Sequence, residues 1–155
     1  MASNEYVQSE VSKVIGNKEF PFPLNHAMAS AWILANFKGE ELKIFDMKQS
    51  TSLCDFAIVA SAQNATQARA MVDEISHQLK ENGASILSYE GYESADWILL
   101  DTGDIMIHVF HGPARDVYDL DLVYAKNPQV KIPEDFYFGK GAEVPREKTD
   151  LKGYF

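Results

Sequence analysis

The feature that most constrains the fold is an unbroken apolar run, Phe56-Ala57-Ile58-Val59-Ala60, followed a few residues later by the best-marked helix in the chain. Such a run suits a strand covered on both faces. The helix opens at Asn64, with Gln67 three residues on in capping-box spacing. Ala68, Met71, Val72, Ile75 and Leu79 then keep one face, and Gly83 supplies the stop. A buried strand running into an amphipathic helix begins a parallel crossover, so a later strand is expected to run beside the first in the same direction.

The remaining elements arrange themselves around that unit. Asn25 is placed to cap a helix through about Phe37, because Met28, Ala31, Trp32 and Ala35 fall at i, i+3, i+4 and i+7, with Gly39 beyond. Leu42 to Met47 and Ser85 to Tyr89 read as strands. Trp97 to Leu100 and Ile105 to Phe110 are apolar runs joined by Asp101-Thr102-Gly103-Asp104, a turn that suits an antiparallel hairpin. After Gly112-Pro113, the pattern Val117, Leu120, Val123, Tyr124 predicts a short helix packed back on the sheet. The order is αββαββα, an α/β or α+β domain with a mixed sheet of about five strands and helices against it. Residues 1–25, ending in Phe20-Pro21-Phe22-Pro23, read as an N-terminal arm and 26–125 as the domain. Residues 126–155, with Pro128, Pro133 and Pro145, read as an extended tail whose aromatics Phe136, Tyr137, Phe138, Tyr154 and Phe155 can strap onto the body or a partner.

Charge narrows the function classes. Of the net −9, residues 26–125 carry all of it, with fifteen acids against six bases, while the two ends nearly balance. Nucleic-acid affinity comes mainly from lysines and arginines displacing counterions, so so acidic a body is a poor direct ligand of RNA or DNA. The same field speeds association with a basic protein. No apolar run approaches the ~18 residues of a membrane span, and the first 25 residues do not resemble a signal or transit peptide. The lone Cys54 sits among apolar neighbours and reads as inert packing. The expected compartment is the cytoplasm.

Searching for catalytic constellations yields none, and no metal or cofactor is expected. There is no phosphate-cradling glycine loop. His108 and His111 stand three apart at the end of a strand, where side chains alternate, so they point to opposite faces. His108 reads as a hydrogen-bonded structural histidine or a functional contact. Asp101 and Asp104 either shape the hairpin, with Gly103 at positive φ, or present an acidic recognition surface. A magnesium site is the third reading, but nucleotidyltransferases place their acids two apart on one strand. Trp97, just after Asp96, is either core or the exposed centre of a protein-binding hot spot.

These residues together resemble the ribosomal silencing factor family, RsfS or Iojap. The match runs through Lys38-Gly39-Glu40-Glu41-Leu42, Ser50 to Asp55, Glu90-Gly91, Asp96-Trp97 and Asp101-Thr102-Gly103-Asp104-Ile105-Met106-Ile107-His108-Val109-Phe110. It closes on Arg115, Tyr118, Leu120 and Leu122. The ordered set W-x-x-x-D-x-G-D-x-x-x-H is more specific than any one piece. Cys54, where the family commonly has alanine, and Tyr124, near a frequent tryptophan, depart from the pattern.

The resemblance implies a nucleotidyltransferase-like fold without catalytic acids. It implies a non-enzymatic protein that binds the large ribosomal subunit through ribosomal protein uL-fourteen, blocks joining of the small subunit, and represses translation under nutrient limitation. On that basis the partner-binding set is Trp97, Asp96, Asp101, Asp104, Glu90 and His108, with Trp97 at the centre and acids at the rim. The alternatives are a large-subunit assembly factor and a magnesium-dependent nucleotidyltransferase. A homodimer of the free chain is a further option, since an unsatisfied docking face tends to pair with itself.

Overall fold

The computed structural model describes residues 4–138. Six strands form one mixed sheet in the order β3-β4-β5-β2-β1-β6, where β1 is Glu40–Asp46, β2 Phe56–Ala62, β3 Ser88–Glu90, β4 Trp97–Asp101, β5 Ile105–His111 and β6 Gln129–Val130. The crossover expected after the Phe56 run is present. Strands β2 and β5 are parallel, in register from Phe56 opposite Ile105 to Ala62 opposite His111, and every other neighbouring pair is antiparallel. Helix α3 (Ala65–Glu81) lies within the crossover, and the Asn64 side chain accepts from Gln67 N–H as the capping spacing predicted.

One face of the sheet is covered by long helices. Ile58, Ala60, Ile98, Leu100, Ile107 and Val109 point into a core shared with α2 (Leu24–Asn36) and α3. Every residue of α2 from His26 to Ala35 is buried, which one sheet face alone cannot accomplish for a helix. The outer side is sealed by α1 (Asn4–Ile15), where Val7, Val11 and Val14 at i, i+4 and i+7 are all buried. The segment read as an arm is therefore a packed helix up to Ile15. Asn25 does not cap α2: Pro23 occupies the cap position, and the Asn25 amide donates to the Ile15 carbonyl, tying the two helices together.

The tail reading also changes over its described part. Gln129 and Val130 pair with Phe45 and Ile44 as a sixth strand, too short to show any period. Phe136, on the 3₁₀ turn Glu134–Phe138, is buried in the helical core beside partly buried Tyr137, as the strapping idea anticipated. Tyr154 and Phe155 lie outside the described residues.

The opposite face is thinly covered. Phe45, Met47, Cys54, Ala57, Val59 and Phe110 form a smaller cluster beneath α4 (Ala114–Tyr118) and α5 (Leu120–Val123). The single helix expected here is broken at Asp119, whose backbone is left-handed at φ 51° and whose carboxylate caps α5 by accepting from Leu122 N–H. The break redirects the apolar pattern. Leu120 stays buried and Tyr124 half-buried, while Val117 and Val123 turn to solvent.

Candidate functional site

Strand alternation brings most of the sequence-nominated residues onto that thinly covered face. Along β4, Ile98 and Leu100 enter the helical core, so Trp97, Leu99 and Asp101 project from the other side. Trp97 is paired with Phe110, Leu99 with His108 and Asp101 with Met106, and Glu90 on edge strand β3 is paired with Leu99. Trp97, Asp101, Glu90 and His108 therefore share one surface. Asp96 precedes β4 at the end of this surface, and Asp104 sits on the hairpin turn.

Trp97 is half-buried, and its ring lies against Tyr118 at 4.7 Å and Phe110 at 5.1 Å between centroids. Gly91 fixes its approach: the glycine has φ 80°, and any Cβ there would collide with the Trp97 carbonyl. The indole Nε1–H donates to His108 Nδ1 at 3.1 Å, and His108 Nε2 is 3.3 Å from the Tyr124 hydroxyl. Because an indole only donates, Nδ1 must be bare, leaving the ring proton on Nε2 to be donated to the Tyr124 oxygen. The histidine is thus a neutral link between two aromatic rings. Burial pushes its pKa down to about 4, in keeping with that tautomer. At 3 % exposure, His108 is covered and holds Trp97 through the indole N–H.

The acids divide by geometry. Glu90, Asp96 and Asp104 are exposed; Glu90 accepts from the Ser88 hydroxyl, and the Asp104 backbone carbonyl accepts from Asp55 N–H. Half-buried Asp101 accepts from Gly103 N–H at 2.8 Å and shapes the hairpin, with Gly103 at φ 91°. That leaves its carboxylate partly occupied. Among the described residues no three His, Cys, Asp or Glu side chains are grouped to hold a metal ion. The buried Cys54 thiol is pushed up to about 11 by burial, far from a reactive thiolate.

Two cations of this face, Arg115 and Lys43, are already engaged. Arg115 is buried and forks onto both oxygens of Asp121 at 3.0 Å while donating to the Ser61 hydroxyl, and Lys43 reaches the same aspartate. These donors hold the Asp121 carboxyl down at about 2. The pair rivets α4 and α5 to the sheet, and among the described residues Glu90 and Asp96 are left without an ion pair.

Sequence reasoning missed the most exposed apolar residues of the face. Val117, Tyr118, Leu122 and Val123 are between 52 % and 71 % exposed on α4 and α5. They continue the Trp97 ring into an apolar ridge, beside a cleft of about 230 Å3 bounded by Asp96, His111, Val117 and Tyr118. The spacing of Val117, Leu120, Val123 and Tyr124 reads as one core face. Asp119 in a left-handed position was the signal that it was not. An apolar ridge with acidic flanks has the composition of a protein-docking surface, with a desolvated centre and charges at the margin.

Comparison with known proteins agrees with the resemblance. A family model described as "Ribosomal silencing factor during starvation" matches residues 23–152. The chain is 35 % identical over 91 residues to ribosomal silencing factor RsfS of Chromobacterium violaceum, covering 59 % of this chain and 75 % of that one. To the RsfS of Halalkalibacterium halodurans it is 33 % identical over 95 residues, covering 61 % and 81 %. A crystal structure of a Bacillus halodurans protein superposes with a TM-score of 0.59 at 30 % identity, covering 66 % of this chain and 93 % of that one.

Proposed function

Because the chain belongs to the ribosomal silencing factor family, we propose that it represses translation by docking on the large ribosomal subunit through ribosomal protein uL-fourteen and barring the small subunit. The observation that carries this reading is the face of β4, α4 and α5, where half-buried Trp97 and exposed Val117, Tyr118, Leu122 and Val123 lie on the side of the sheet that also carries Glu90, with Asp96 at its end and Asp104 apart on the hairpin turn. A ribosomal protein that binds RNA is basic, and an acidic surface meets it with complementary potential while avoiding the phosphates around it. The rim acids speed encounter, and the apolar ridge holds the complex by excluding water.

Blocking by overlap needs no bond made or broken. The relatives are named as silencing factors, which are regulators rather than catalysts. No helix among the described residues is long and apolar enough to cross a membrane, and the proposed place of action is the cytoplasm, with the ribosomes.

Co-sedimentation tests the docking step. The full chain is centrifuged with isolated large subunits, and separately incubated with purified uL-fourteen. Saturable binding to both is expected. Recovery of the chain with small subunits alone, or binding to large subunits with no affinity for uL-fourteen, refutes the assignment of the partner.

A further inference from the structure

The cleft beside Trp97 has a chemistry that selects its occupant. Its walls are Val117, Tyr118, Pro113 and Ala114, and its polar groups are Asp96 and His111. The Asp96 carboxylate makes no hydrogen bond or ion pair among the described residues and stands exposed at the rim. His111 meets Asp96 through its backbone, donating its N–H to the Asp96 carbonyl at 3.0 Å. The Asp96 carboxylate is an acceptor in want of a donor, while the nearby Arg115 is spent on Asp121 and Ser61.

We infer that this cleft is a binding pocket for an arginine side chain of the docking partner, whose guanidinium pairs with Asp96 over the face of Tyr118. The inference rests on the proposed function and names one anchor of that interface. Apolar walls suit the three methylenes of the stem, and a planar donor fork suits a free carboxylate. The Tyr118 ring, backed by Trp97 at 4.7 Å, offers a face for the guanidinium. A lysine meets the charge but neither stacks nor forks, so arginine is preferred.

Two measurements on the full chain separate this pocket from the general acidity of the face. In the first, Nα-acetyl-arginine amide, the lysine equivalent and the uncharged citrulline equivalent are titrated against the isotope-labelled protein by NMR. Saturable shifts of the Trp97 indole N–H and the His111 and Tyr118 amides are expected with arginine, smaller ones with lysine and none with citrulline, and Asp96→Asn abolishes them with the rest of the spectrum unchanged. Equal responses to arginine and citrulline, or none to any probe, overturn the pocket.

In the second, large-subunit affinity is compared for Asp96→Asn and for Asp116→Asn, an exposed acid on α4 outside the cleft walls. A loss of about tenfold is expected for Asp96→Asn and under about twofold for Asp116→Asn. Equal losses mean that only the summed field matters and overturn the pocket. If the unaltered chain fails to bind large subunits, the functional reading falls, while the arginine titration still decides the cleft.

Discussion

Acid should unfasten the docking face through one histidine. Burial lowers the His108 pKa from the ordinary 6.5 to about 4, so the unfolded chain takes up a proton in a range where the folded chain does not. A histidine depressed in this way contributes its stability fully above about pH 6.5 and loses it as the pH falls toward about 4. Lowering from 6.5 to about 4 corresponds to about 3 kcal/mol in total, and about 2 kcal/mol of it is gone by about pH 5. The neighbouring Trp97, Phe110 and Tyr124 rings do not titrate in that range, but buried His26 is lowered in the same direction, so the His108 share is the difference between the unaltered chain and a variant that does not titrate there. Urea unfolding at a series of pH values should show this slope in the unaltered chain. His108→Gln offers a carbonyl to the Trp97 N–H and an amide donor to Tyr124 without titrating. Its stability should therefore fall less between about pH 7 and 5, by about 2 kcal/mol. Identical pH dependence in both proteins refutes the buried neutral tautomer.

Three further substitutions probe the packing and the surface. Trp97→Ala should weaken large-subunit binding by more than about tenfold, more than any single acid, whereas Trp97→Phe should stay within about threefold because the indole N–H is turned inward to His108. Leu122→Asp places a charge on a residue 71 % exposed; the melting temperature should hardly move, while binding falls at least about tenfold. Val11→Ala, in the fully buried seam between α1 and α2, should cost about 2 kcal/mol in urea unfolding and leave large-subunit affinity unchanged in the folded protein.

How much of this was legible in the sequence depended on the length of the pattern. The Phe56 run and the capped helix after it each repeat over enough residues for periodicity to decide, and the parallel pairing of β2 with β5 followed. The Asp101–Asp104 hairpin was readable because its turn chemistry is local. Shorter or non-local features were not. Two residues of β6 carry no period, and they are ordered by pairing with Ile44 and Phe45, distant in sequence. The α1 stripe of Val7, Val11 and Val14 was present but stood among polar residues, and its meaning depends on α2 needing a cover on both sides.

The site followed the same division. Alternation alone puts Trp97, Asp101 and Glu90 on one surface once the register is known, but it does not reveal the indole bond to His108 across the strand pair. Equally, Val117 and Val123 matched a helical core spacing until Asp119 broke the helix into two turns. That one backbone position converts a stripe meant for the interior into an exposed ridge.

The most direct test of steric silencing follows subunit joining by light scattering. Purified large subunits are incubated with increasing amounts of the full chain before small subunits are added, with Leu122→Asp as the comparison. The account predicts that the unaltered chain suppresses joining in proportion to the large subunits it occupies, and that Leu122→Asp does so only at concentrations at least about tenfold higher. Undiminished joining on large subunits saturated with the chain contradicts it.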